Sequence, residues 1–211
     1  MFITFEGGDG SGKSTQIELL KSRFDALGQP ALVTREPGGT PIGEKIRGLL
    51  LDIGCAEMDA VTEMMLYAAA RAQLAAEVVR PALLCGRVVI CDRWLDSSLV
   101  YQGAARGLGQ GVDTVNAFAT GGLTPDLTIL LDIDPAEGLA RAGKGEGPDR
   151  IESEGMEWHR QVRAAYLELA GRNPGRVRTL DAALPAEDIA GRIWAFVQAV
   201  WTPAGEGARK Q

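Results

Sequence analysis

Three features of this 211-residue sequence predict an α/β fold in which a five-stranded parallel sheet has helices on both faces. Short apolar runs alternate along the chain with longer segments of helical spacing, which is the pattern of βαβ units. The runs lack polar alternation, as is typical of strands covered on both faces. The length suits one large domain, which we expect to span residues 1–201.

The predicted strands are short and rich in β-branched residues. They cover residues 2–5, 31–34, 87–91, 127–131 and 177–180. An apolar spacing of three and four predicts the first helix, and Gly28 follows as its terminator. The residues in this spacing are Ile17, Leu20, Phe24 and Leu27. Further helices are predicted over residues 42–51, 62–84, 112–121, 135–142, 154–171 and 185–201.

Two segments show no such periodicity. Residues 143–148 contain three glycines and a proline, which disfavour both helix and strand, so we predict a small mobile lid at about residues 142–152. Residues 202–211 carry no apolar period, and we expect them to form a disordered tail.

The charge balance limits the class of partner. With 28 acidic and 22 basic residues the formal net charge is -6, which argues against a surface built to bind nucleic acid. No apolar run approaches the roughly 18 residues of a membrane span, and the first residues lack the charged flank of a signal peptide. We therefore expect a cytoplasmic protein without nucleic-acid or membrane partners.

The cysteine pattern predicts inert thiols. Cys55, Cys85 and Cys91 are odd in number and include no C-x-x-C pair. We expect them to be buried as small apolar side chains, and we expect no structural metal.

A glycine-rich phosphate loop is predicted between the first strand and the first helix. Residues 7–14 read GGDGSGKS and fit the pattern G-x-x-x-x-G-K-[ST]. The glycines let successive backbone N–H groups point into one concavity, and the helix N-terminus adds partial positive charge. A nucleoside triphosphate is therefore expected to bind at Gly7, Gly8, Asp9, Gly10, Ser11, Gly12, Lys13, Ser14 and Thr15.

Individual side chains of this loop have separate expected roles. Lys13 reaches the β- and γ-phosphates as a point charge, while the Ser14 hydroxyl coordinates a magnesium ion that bridges them. Thr15 adds a contact to the α-phosphate.

A carboxylate at the end of another strand is expected to complete the magnesium site. Asp92 follows the apolar run 87–91, an arrangement that places a carboxylate beside the phosphates. Asp132 is the alternative, but the Asp134-Pro135 pair after it is more typical of a strand end that turns into a capped helix.

Three segments together resemble the bacterial thymidylate kinase family. They are residues 5–16 (FEGGDGSGKSTQ), 34–40 (TREPGGT) and 92–103 (DRWLDSSLVYQG), and the likeness extends from residue 2 to about residue 201. The resemblance implies a three-layer sandwich of the P-loop NTP hydrolase type. It implies Mg²⁺-assisted transfer of the γ-phosphoryl group of ATP to dTMP, in dTTP biosynthesis. It also implies a homodimer formed through helices, for which the apolar residues 64–66 and 68–70 are a candidate face, although packing in the core would explain these residues equally well.

A monophosphate acceptor needs cations for its phosphate and a flat apolar wall for its base. Arg71 and Arg93 are predicted to grip the acceptor phosphate with forked guanidinium groups, and Arg47 is a third candidate. By resemblance, Tyr67 stacks on the thymine ring, one helical turn from Arg71.

The remaining acceptor residues follow from the same resemblance. Gln102 hydrogen-bonds the base edge with help from Ser98. Glu36 and Pro37 belong to the second segment, and Pro37 shapes the wall beside the base. Asp9 resembles the residue that contacts the 3'-hydroxyl of the acceptor sugar.

A catalytic cation is also expected from the lid. Family members with a non-basic phosphate loop tend to supply a lid arginine, and position 11 is a serine here. The candidates are Arg150, which we rank first, then Lys144 and Arg141, each able to neutralise charge on the phosphoryl group in transit.

Other function classes share parts of this pattern. A kinase for another monophosphate or for a small metabolite would share the loop and lid, but Tyr67 and Gln102 favour thymine. A GTP-binding switch would use the same loop, yet the sequence has no Asn-Lys-x-Asp segment to recognise guanine. An inactive dimerising protein could keep the fold, but the intact Lys13, Asp92 and Arg93 disfavour it.

Overall fold

A computed structural model describes residues 1–142 and 149–202 of the chain. Its sheet consists of β1 Phe2–Glu6, β2 Leu32–Arg35, β3 Val89–Asp92, β4 Leu127–Asp132 and β5 Val177–Asp181. The strand order is β2-β3-β1-β4-β5, and every neighbouring pair is parallel. The predicted α/β class with a five-stranded parallel sheet is confirmed.

The helices lie in the connections between these strands and after the last one. They are α1 Lys13–Ala26, α2 Pro41–Leu51, α3 Ala60–Leu74, α4 Arg80–Leu84, α5 Leu95–Ser98, α6 Gly111–Thr120, α7 Pro135–Ala142, α8 Met156–Arg172 and α9 Ala186–Val200. Helix α5 and the π-helical stretch Leu99–Ala105 after it were not predicted. Their buried face includes the polar residues Asp96, Ser98 and Gln102, which hide the apolar period that marks a helix.

Residues 62–84 differ from the single helix predicted there. Helix α3 ends at Leu74, a π-helical turn covers Ala75–Val79, and α4 resumes at Arg80. Pro81 has no N–H, and its ring clashes with the preceding turn, so regular α-helical hydrogen bonding cannot continue through this point.

Packing on the sheet brings the predicted site together at one edge. Ile17 of α1 and Ile193 of α9 pack in one buried cluster with Phe5 of the sheet, and each such side chain contributes about 1.5–3 kcal/mol on burial. Phe5 also pairs in register with Asp92. The segments that follow β1 and β3 therefore lie side by side at the carboxyl edge.

Some expectations are corrected by the structure or fall outside it. Cys91 is buried as expected, but Cys55 is only partly buried and Cys85 is exposed. Leu27 is exposed because α1 ends before it, at Ala26. The centre of the predicted lid, residues 143–148, and the predicted tail from residue 203 lie outside the described residues. None of the described helices is long and apolar enough to cross a membrane.

Candidate active site

Two glycines of the phosphate loop are required by close packing. Gly7 has a φ of 137°, and a Cβ there would collide with the carbonyl oxygen of Leu131 in β4. Gly10 has a φ of 69°, and a Cβ would collide with the carbonyl oxygen of Gly138 in α7. The loop therefore lies directly against β4 and α7, in a conformation that favours glycine.

Lys13, the first residue of α1, has its amine folded back across the loop. Its Nζ donates to the carbonyl oxygens of Gly7 at 3.1 Å and Gly8 at 3.0 Å. Burial, followed by the nearby charge of Arg93, lowers the pKa of Lys13 to about 8. Since the partners within hydrogen-bond distance are backbone carbonyls, a phosphate that enters the loop would supply the counter-charge.

A cavity of about 480 Å³ opens beside this loop at the carboxyl edge of the sheet. Most of the residues assigned to the site from the sequence line it: Asp9, Gly10, Ser11, Gly12, Lys13, Ser14, Thr15, Glu36, Pro37, Arg47, Tyr67, Asp92, Arg93, Ser98 and Gln102. Gly7 and Gly8 line a smaller adjoining cavity. One space therefore connects the phosphate loop with the predicted acceptor residues.

Asp92 is among the residues that line this cavity. Its Oδ1 is buried and has no hydrogen-bond donor in the described part of the chain. Asp132, the alternative, is engaged by Arg163 through contacts of 2.7 and 2.9 Å. Ser14 is exposed and lines the same cavity as Asp92. A carboxylate oxygen and a hydroxyl are the hard ligands that magnesium prefers, so these residues fit the ion.

Arg93 is held in a strained backbone conformation, with a φ of 67° that a residue other than glycine seldom adopts. Its guanidinium donates to Asp9 Oδ1 at 3.0 Å and to Tyr166 Oη at 3.2 Å. The backbone N–H of Trp94 donates to Glu6 Oε1 at 2.9 Å and fixes the chain after Arg93. These contacts hold the guanidinium at the cavity wall.

Asp9 is ionised at neutral pH in this arrangement. Burial acts to raise its pKa, but the charges of Arg93 and Lys13 outweigh that effect, and the pKa lies below its usual value. The loop therefore presents a carboxylate acceptor next to two cations.

The opposite wall of the cavity is formed in part by Tyr67 and Pro37. Arg47 donates to the Pro37 carbonyl oxygen at 3.0 Å and braces this wall. Burial raises the pKa of Tyr67 to about 12, so the ring stays neutral. A neutral aromatic ring and a proline provide a flat apolar surface of the kind a base requires.

Arg71 lies behind this wall and is not among the cavity-lining residues. Its buried guanidinium pairs with Glu36 Oε2 at 2.8 Å and donates to Ser98 Oγ at 2.9 Å and Asn116 Oδ1 at 2.5 Å. In this structure Arg71 fixes Glu36 and Ser98, which do line the cavity. Its grip on an acceptor phosphate stays a prediction.

Arg150 is also directed elsewhere than expected. Its Nε donates to the Leu50 carbonyl oxygen at 2.8 Å, and its Nη2 pairs with Glu63 at 2.6 Å. The catalytic role assigned to Arg150 stays a prediction. Arg141 lines the cavity and donates to the Ala182 carbonyl oxygen at 3.0 Å, whereas Lys144 lies outside the described residues.

Comparison with known proteins gives one consistent family. The family model for thymidylate kinase matches residues 5–193. The chain is 50% identical over 198 residues to the thymidylate kinase of Deinococcus radiodurans, covering 93% of this chain and 96% of the relative. It is 49% identical over 209 residues to that of Symbiobacterium thermophilum, covering 99% and 97%. The chain belongs to the thymidylate kinase family.

A solved structure agrees with this membership. The crystal structure of thymidylate kinase from Ehrlichia chaffeensis matches with a TM-score of 0.76 at 29% identity, over 94% of this chain and 98% of that one. The family resemblance and the nucleoside monophosphate kinase class predicted from the sequence are thus confirmed.

Two residues close to Arg93, Glu6 and Tyr166, were not predicted from the sequence to belong to the site. Glu6 accepts hydrogen bonds from Ser97 Oγ at 2.6 Å and Tyr166 Oη at 2.8 Å. Glu6 could have been found, because it is a charged residue at the end of the otherwise apolar strand β1. Tyr166 gave no signal, because it lies 160 positions from Glu6 and reads as an ordinary core residue of α8.

Glu6 makes the stability of the protein depend on pH. Burial, followed by the charge of Asp96, raises the pKa of Glu6 from 4.5 to about 7. The native state therefore binds more protons than the unfolded state between these pH values, so the contribution of Glu6 to the free energy of unfolding falls as pH rises through them. We expect Glu6→Gln to gain stability relative to the parent across this range, by at most about 1.4 kcal/mol per pH unit.

Urea unfolding of parent and variant between about pH 5 and about pH 8 measures this difference. Glu168→Gln, at an exposed position of α8, is the control and should show no comparable slope. A pH-independent difference for Glu6→Gln would contradict the raised pKa.

Proposed function

We propose that this chain transfers the γ-phosphoryl group of ATP to dTMP, giving dTDP and ADP in dTTP biosynthesis. The observation that carries the proposal is the single cavity that joins the phosphate loop at Lys13 to Tyr67 and Gln102. Membership of the thymidylate kinase family supports the same reaction.

The proposed transfer is direct. An oxygen of the acceptor phosphate attacks the γ-phosphorus in line, the bond to the β,γ-bridging oxygen breaks, and ADP leaves without a phosphoenzyme. Lys13 binds the donor phosphates, and Arg93, held over Asp9, bridges donor and acceptor phosphates. Magnesium, bound through Ser14 and Asp92, would neutralise charge on the donor phosphates.

The acceptor is positioned by the opposite wall. Tyr67 and Pro37 cover the faces of the base, while Gln102 and Ser98 contact its edge. Asp9 accepts a hydrogen bond from the sugar 3'-hydroxyl. Glu36 and Arg47 complete the set of proposed acceptor residues, and Arg71 contributes by fixing Glu36.

The test is ADP release from ATP and magnesium with a panel of acceptors, comprising the monophosphates of thymidine, deoxyuridine, deoxycytidine, adenosine and guanosine. We expect the highest kcat/KM with dTMP. Activity with only a different acceptor would keep the phosphate loop but overturn the acceptor site.

We also propose a homodimer as the working form and a cytoplasmic location. The neighbouring helices α3 and α6 leave apolar side chains exposed, including Met65 on α3 and Phe118 on α6, the latter 92% exposed. Covering such side chains contributes roughly 1.5–3 kcal/mol each, which favours pairing with a second copy.

Phe118→Asp is expected to shift the protein from two chains to one, because it places a charge in the covered face. Light scattering after size-exclusion chromatography measures the mass. Leu84→Asp, at an equally exposed apolar position on α4, should stay a dimer. A parent that elutes as a single chain would contradict the proposal.

A further inference from the structure

Glu63 is a buried carboxylate of α3 that the proposed transfer does not use. It accepts from Gln102 Nε2 at 2.8 Å, from Arg106 Nη2 at 3.2 Å and from Arg150 Nη2 at 2.6 Å. Of these partners, Gln102 is the one whose side chain lines the cavity. Glu63 therefore contacts Gln102, the residue proposed to recognise the base.

The charge state of Glu63 decides how the Gln102 amide is oriented. Burial acts to raise the pKa of Glu63, but hydrogen bonds from Gln102, Arg106 and Arg150 outweigh it, and the pKa lies below its usual value. An ionised carboxylate only accepts hydrogen bonds, so it must face the amide nitrogen. The two ends of an amide have the same shape, so the partner determines which end is left for a ligand. Here that end is the oxygen.

We propose that Glu63 is a positioning residue that selects the acceptor base by holding the amide oxygen of Gln102 toward it. The oxygen accepts from a base with an imide N–H, as in thymine and uracil. Cytosine has a lone pair at the equivalent nitrogen, which the oxygen repels. This inference rests on the acceptor site proposed above.

Arg106 and Arg150 have a supporting part in this arrangement. Two guanidinium groups on one carboxylate keep it ionised, and an ionised carboxylate cannot donate to the amide oxygen. Arg106 also pairs with Glu154 at 2.5 Å, so it stays anchored if Glu63 loses its charge.

The first test is Glu63→Gln, which keeps the shape but lets the Gln102 amide turn either way. Steady-state kinetics with dTMP and with dCMP give the ratio of their kcat/KM values. We expect this ratio to fall roughly 10-fold, through KM more than kcat, because the lost interaction is one of ground-state binding. A merely structural role would lower both kcat/KM values together and leave the ratio unchanged.

Arg106→Met is the matched control, since it removes one partner of Glu63 but leaves the contact with Gln102 and the pair with Arg150. Its dTMP-to-dCMP ratio should stay that of the parent. If it falls as far as in Glu63→Gln, the effect comes from the charge cluster, and the inference is overturned.

A second variant covers the case in which Glu63→Gln does not fold. Gln102→Met leaves Glu63 with both arginines and should lower the ratio to the same extent. Adding Glu63→Gln to it should lower the ratio no further, because the carboxylate acts only through the amide. A ratio that Gln102→Met leaves unchanged overturns the inference. A parent that does not phosphorylate dTMP would overturn the proposed function, and with it this inference.

Discussion

Replacing Lys13 by alanine is expected to lower kcat by roughly 10²–10³-fold, the usual loss when one preorganised charge-stabilising group is removed. The amine lies across the phosphate loop, and its hydrogen bonds go to the Gly7 and Gly8 carbonyl oxygens. Its pKa of about 8 means that folding disfavours the charged form. Loss of the side chain should therefore leave stability unchanged or increase it.

Coupled measurement of ADP release and thermal unfolding tests both parts of this prediction. Lys21→Ala is the matched control, because Lys21 lies on the same helix α1 in an exposed pair with Asp25. Its kcat should equal that of the parent. If the turnover of Lys13→Ala is within about threefold of the parent, Lys13 has no role in the transfer step.

Arg93→Ala is expected to lower kcat by about 10³-fold, the lower end of the effect of an arginine that neutralises a phosphoryl group in transit. Asp9 and Tyr166 hold the charge at this point of the cavity wall, so the substitution removes a cation that is already in position. Arg93→Lys keeps the charge but loses the paired donors of the planar guanidinium. We therefore expect a kcat between those of the parent and Arg93→Ala.

The backbone at position 93 offers a further control on folding. Because a φ of 67° suits glycine, Arg93→Gly relieves strain and should unfold at or above the temperature of the parent while being as inactive as Arg93→Ala. Arg172→Ala, which removes an exposed arginine of α8, should keep full activity. Near-normal turnover in Arg93→Gly would contradict the bridging role.

The sheet and the phosphate loop were predictable because their signals are local. The strands β1, β3 and β4 are largely apolar runs, and the loop motif lies within eight consecutive residues, 7–14. The preference for Asp92 over Asp132 also rested on neighbouring residues, and the structure shows Asp132 engaged by Arg163.

The positions of two arginines were not predictable in this way. Where Arg71 and Arg150 point depends on buried partners far along the chain, Asn116 for the first and Glu63 for the second. A sequence pattern shows that a cation is present on a helix or loop. It does not show which acceptor the guanidinium reaches, because that follows from tertiary packing.

The most direct test of the central claim is a competition in one vessel between equal concentrations of dTMP and dCMP, with limiting ATP and magnesium. The ratio of the two diphosphate products equals the ratio of the two kcat/KM values. The proposed acceptor site predicts that dTDP is nearly the whole product. Equal amounts of both products, or an excess of dCDP, would contradict the assignment of the cavity beside Lys13 to dTMP.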